Sequence, residues 1–194
     1  MEKQLEDLKA IREMMEKSSK FLSLSGLSGV FAGTTAIAGA AIANFYILKE
    51  CTENLRILLL VDALVVLAAS ICFAFYFSWR KAQKNNQKLF NQLAFKILYN
   101  LCVPLVVGGV VSLILIYRDQ TDLVAAMTLI FYGLALVNVS KFTFNEIHYL
   151  GIIEILLGLA AILFLYHGLL FWTIGFGLCH IVYGIIMYKK YDLK

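Results

Sequence analysis

Residues 147–188 read IHYLGIIEILLGLAAILFLYHGLLFWTIGFGLCHIVYGIIMY, a run with no lysine or arginine and a single acid, Glu154. A helix needs ~20 mainly apolar residues, rising ~1.5 Å each, to cross ~30 Å of hydrocarbon. The run is long enough for two such helices, and His167 and Gly168 mark the turn between them. The spans are therefore placed at 147–167 and 169–188. Working outward, the same reading gives spans near 123–142, 96–117, 56–78 and 21–48. Of the whole chain, 61% is apolar and 15% charged, against ~25% charged in an ordinary soluble domain. The apolar stretches show no period-two alternation, which argues against a barrel. A single proline in the chain favours long helices. The expected fold is all-α, a polytopic bundle of six transmembrane helices in three hairpins.

Residues 1–20 are expected to form a separate N-terminal helix, amphipathic and cytoplasmic, ahead of a transmembrane domain at 21–194. Leu5, Leu8, Ile11 and Met15 recur on one face. Glu6 with Lys9, Glu13 with Lys17 and Glu16 with Lys20 can pair on the wet side. The mixed charge of this segment is unlike the cationic start of a signal peptide. With both termini inside, all of the 17 bases except Lys49, Arg56 and Arg118 face the cytoplasm, as the positive-inside rule requires. Segment 79–96 holds Arg80, Lys81, Lys84, Lys88 and Lys96 without an acid. It is a candidate contact for anionic lipid or a cytoplasmic protein partner. The net charge of +4 needs no nucleic acid to explain it.

Polar residues within the spans are the informative ones. Glu154 and His180 lie almost equally far from the His167–Gly168 turn, so a hairpin brings them level. Each has glycines three residues before and four after it: Gly151 and Gly158 around Glu154, Gly177 and Gly184 around His180. Small residues let helices approach closely in a bilayer, and the two stripes are expected to press against each other. A lone charge at mid-membrane costs ~2.5–3.5 kcal/mol even on the lenient scale, so acid and imidazole are expected to pair. From the residues alone, that pair can handle protons or simply hold helices together. Asn44 is nearly level with Asp62 about the first turn, and Asn100 with Ser140 and Asn138 in the second hairpin. Gly29, Gly33, Ala36 and Ala40 form a small-residue stripe on the first span, which packs inside the bundle or between protomers. Thr143 and Glu146 have the spacing of a capping box. His148 and His167 show no partner and are read as solvated. Cys72, Cys102 and Cys179 are read as small apolar filler in helices, and Cys51 falls in an outer loop.

Catalytic patterns are mostly missing. There is no HExxH, Walker A or dinucleotide glycine motif, the three histidines fall at three depths, and no metal or cofactor is expected. Gly26-Leu27-Ser28-Gly29 is similar to the GxSG of rhomboid proteases, whose serine sits on the fourth helix. Here the motif opens the first span within a serine run, which argues for packing. Two longer stretches, Phe21 to Gly33 and Gly175 to Gly184, resemble a group of small bacterial six-helix membrane proteins. That resemblance implies the topology and a bacterial inner membrane, and no activity.

The sequence thus points to a small integral membrane protein, non-enzymatic, that associates with itself, a partner or lipid in a sensing or regulatory role. A proton-coupled small-solute transporter or channel using Glu154 and His180, with Asp62 farther along the same path, is the alternative. An intramembrane enzyme is the remote one.

Overall fold

The computed structural model describes residues 25–47, 54–84 and 92–193. The expected N-terminal amphipathic helix and Cys51 lie outside these residues. The described chain is all-helical, with six helices long and apolar enough to cross a membrane. They are α1 (Gly26–Ile42, continued by a π-helical turn, Ala43–Ile47), α2 (Leu55–Lys84) and α3 (Gln92–Tyr117). Then follow α4 (Thr121–Phe142), α5 (Asn145–Leu163) and α6 (Leu165–Asp192). α6 is not uniform: π-helical segments at Thr173–Cys179 and Tyr188–Asp192 flank the regular turns His180–Met187.

The six helices divide into two groups of three. α1 packs against α2 and α6, while α4 packs against α3 and α5. Contacts across the seam between the groups are sparser. The reason is glycine placement. A Cβ on Gly151 of α5 would sit 2.8 Å from the Gly133 carbonyl oxygen of α4, and one on Gly158 would meet Ile130 and the Ala126 carbonyl. On the other side, Gly29 and Gly33 of α1 face Gly184 and Ile181 of α6, and Gly177 of α6 faces Ile37. Backbone lies on backbone in both places, as small residues permit in a bilayer. The expectation that the α5 and α6 glycines press on each other is therefore corrected: the α5 stripe is taken by α4, the α6 stripe by α1. The stripe on α1 lies inside the molecule, with Gly29, Gly33, Ala36 and Ala40 buried.

Polar contacts complete each group. Within the first, Thr35 and Ser70 hydroxyls are 3.0 Å apart, and Phe31 packs against both Phe73 and Phe77. Asp192 accepts from the Ser25 hydroxyl and the Gly26 N–H, each at 2.9 Å, and pairs with Lys81 at 2.6 Å. A carboxylate from α6 thus satisfies the open N-terminus of α1, where the helix dipole favours negative charge. Within the second, Asn138 donates to the Asn100 carbonyl at 3.2 Å. Pro104 of α3 has no N–H to return to that carbonyl one turn earlier, and in hydrocarbon an unpaired carbonyl is costly. The side chain of α4 fills the vacancy. The capping box is not formed: Phe144 is the N-cap of α5, Thr143 bonds the Val139 carbonyl at 3.1 Å, and Glu146 turns to α6.

Candidate functional site

Glu154 sits midway along α5 and is completely buried. Its position is forced by neighbours. Gly175, in the π-helical segment of α6, has no side chain because a Cβ there would land on Glu154 Oε2. His180 follows that segment, 6% exposed, with Nδ1 3.3 Å from Glu154 Oε1. The same Nδ1 is 3.0 Å from the Gly175 carbonyl oxygen, while Nε2 is 2.8 Å from the hydroxyl of Tyr132 on α4.

These contacts set the proton positions. A carbonyl can only accept, so Nδ1 carries a hydrogen, and a neutral ring then accepts the Tyr132 O–H at Nε2. Glu154 Oε1 lies within ion-pair range of Nδ1, yet neither carboxyl oxygen has an aligned hydrogen-bond donor. The hydrogen on Nδ1 is better directed at Gly175. We therefore take the pair as an electrostatic neighbour rather than a formed hydrogen bond. A small rotation of either side chain would let Nδ1 serve Glu154. The pair is neutral whenever it holds one transferable proton, as carboxylic acid with imidazole or as carboxylate with imidazolium. Buried polar groups left without partners are uncommon, and π-helical turns recur at functional sites.

Aromatic rings seal the site. Phe176 stacks on His180 with centroids 5.8 Å apart and lies 4.9 Å from Tyr132; Trp172 is 5.0 Å from Phe176. Cys179 and Tyr183 pack toward the buried cluster of Leu136, Val139, Ile147 and Leu150. Tyr132 was missed from sequence. It is about as far from the turn near residue 120 as Glu154 is from its own turn, so the depth argument applied to the second expected hairpin contains the signal.

The remaining sequence candidates fall elsewhere. Asn100 and Asn138 meet, as described. Asn44 is exposed on the π turn after α1, and no hydrogen bond joins it to Asp62 among the described residues. Asp62 faces α1 beside Gly39. Arg56 pairs instead with Asp119 in the α3–α4 turn. Ser28 donates to the Ser25 carbonyl, and both nitrogens of His180 are engaged, so the protease-like pairing of these two is absent. His148 approaches Ser140 at 3.4 Å, and His167 is exposed. Among the described residues no cluster of three metal-ligating side chains occurs. Comparison of the chain with protein-family models, curated proteins and solved structures finds no match.

Proposed function

We propose that this chain is a non-enzymatic membrane protein that responds to protons through Glu154 and His180, in a sensing or regulatory role. It would lie in a bacterial inner membrane as three hairpins, with residue 25 and Asp192 at the cytoplasmic end. The distribution of bases supports that orientation. One observation carries the functional reading: a wholly buried carboxyl lies 3.3 Å from an imidazole on the neighbouring helix.

The aromatic chain from His180 through Phe176 to Trp172 supplies a reporter. In a Trp79→Phe background, Trp172 fluorescence in liposomes is expected to change with pH, and to lose that change in both Glu154→Gln and His180→Gln. A titration that survives in both variants defeats the reading. Proton-coupled transport of a small solute is the second reading, favoured because the pair lies on the seam between the two helix groups, where transporters place their sites. Solute-dependent acidification of the liposome lumen, abolished by Glu154→Gln, would select transport over sensing.

A further inference from the structure

The seam that holds Glu154 and His180 is closed differently at its two ends. At the end bearing residue 25 and Asp192, α5 and α6 are joined by a charged clasp. Lys190 Nζ lies 2.5 Å from Glu146 Oε1, and the Tyr191 hydroxyl lies 3.2 and 3.3 Å from the two carboxyl oxygens. Phe144 stacks on Tyr191 with centroids 4.2 Å apart. Lys190 is half exposed, its side chain at 55%. At the opposite end the two groups are joined covalently by the α5–α6 connection, a single 3-10 turn at Leu165–His167, whereas at the clasp end the chain crosses from α2 to α3 through the longer stretch between Lys84 and Gln92. There Phe164 stacks on Phe171, and Gly168 sits against Ala125.

The two groups differ from the seam in the kind of contact they use. Inside each group glycines bring backbones together, and such contacts cannot slide without collision. Across the seam Gly168 and Gly175 of α6 lie against Ala125, Leu129 and Glu154, and the polar contacts join side chains: Tyr132 with His180, Glu146 with Lys190 and Tyr191, and Arg56 with Asp119. A short turn at one end and a weak, water-reachable ion pair at the other describe a hinge and a clasp. The π-helical segment of α6 is on the seam itself, beside Glu154.

We propose that α1–α2–α6 and α3–α4–α5 are two units that pivot about the Leu165–His167 turn, and that Glu146 with Lys190 and Tyr191 is the clasp closing the mouth of the seam. Opening admits water and small solutes from that end toward Glu154 and His180. It requires no proton, so it stands or falls separately from the proton-responsive reading.

Cys179 lies on α6 beside His180 and packs toward α4 and α5, which makes it a native probe. In a Cys51→Ala, Cys72→Ala, Cys102→Ala background, its reaction with a charged methanethiosulfonate is measured at fixed neutral pH in membranes. The parent should react slowly. Glu146→Gln should react roughly two- to fivefold faster, the shift that a weak exposed pair can hold back. The exchanged pair Glu146→Lys with Lys190→Glu should be slow again. Thr35→Val, which breaks a hydrogen bond inside one unit, should match the parent. If Glu146→Gln does not assemble, Lys190→Gln opens the same clasp from its exposed partner. Unchanged labelling in the clasp variants, equal acceleration by Thr35→Val, or an exchanged pair as fast as Glu146→Gln would each overturn the proposal.

Discussion

Pro104 and Asn138 are on different helices, yet each is explained by the other. The proline leaves the Asn100 carbonyl without its helical donor, and the Asn138 amide supplies one. Asn138→Leu should cost about 1–2 kcal/mol, the penalty for stranding a buried acceptor. Pro104→Ala restores a backbone N–H at the right position. The double variant should therefore recover part of the loss, and a double-mutant cycle in detergent unfolding would measure the coupling. Strict additivity would mean that the amide is idle. Gly175 offers a second test. Gly175→Ala places a methyl on Glu154 Oε2 and on the Leu129 side chain. It should destabilise by about 1–3 kcal/mol. The loss should shrink, without vanishing, when Glu154 is also shortened to Ala, because one of the two collision partners is then gone and Leu129 remains. The level placement of Glu154 and His180 was legible because depth along a hairpin is simple arithmetic on the chain. The role of Gly175 was not, because it depends on the rotation of α6, to which a π-helical turn contributes.

At the level of helices, hydropathy is a local property, so all six spans could be read from composition and length. Which faces meet is not local. The stripes on α5 and α6 share a spacing, and symmetry about the turn suggested that they touch; in the fold each is used against a different neighbour. The discriminating feature was a third glycine, Gly133, whose carbonyl abuts Gly151. One glycine on α4 carries no period and therefore no signal. This assigns different consequences to glycines that look alike. Gly151→Val has its new carbon against backbone that cannot yield, and should lower stability by several kcal/mol by separating α4 from α5. Gly109→Ala on α3 meets nothing within 4 Å and should leave the thermal midpoint within a degree or two, since isolated surface changes are usually worth less than ~0.5 kcal/mol. Similar losses for both would contradict the pairing of α4 with α5 through Gly133 and Gly151.

For the whole molecule, the interior use of the α1 stripe bears on self-association. Gly29, Gly33, Ala36 and Ala40 are occupied by packing within the chain and are unavailable to a second copy. The apolar surfaces left uncovered belong mainly to α2 and α3, which bury little of their length. Leu64, Val65 and Ile71 of α2, and Val103, Val106 and Val110 of α3, all face outward. Lipid alone can cover such faces, because tails are as apolar as leucine and supply no drive for association. A second copy must therefore add shape or polar contact along one of these two helices. Cys72 on α2 and Cys102 on α3 are free and exposed, one on each candidate face. Oxidation in native membranes, in a Cys51→Ala background, should yield a disulfide-linked dimer through one of them. That dimer should vanish with Cys72→Ala or Cys102→Ala and persist in the other. A cysteine introduced at Ala36 should give none. If no dimer forms at any oxidant dose, both faces belong to lipid, and the clasp and seam operate within a single chain.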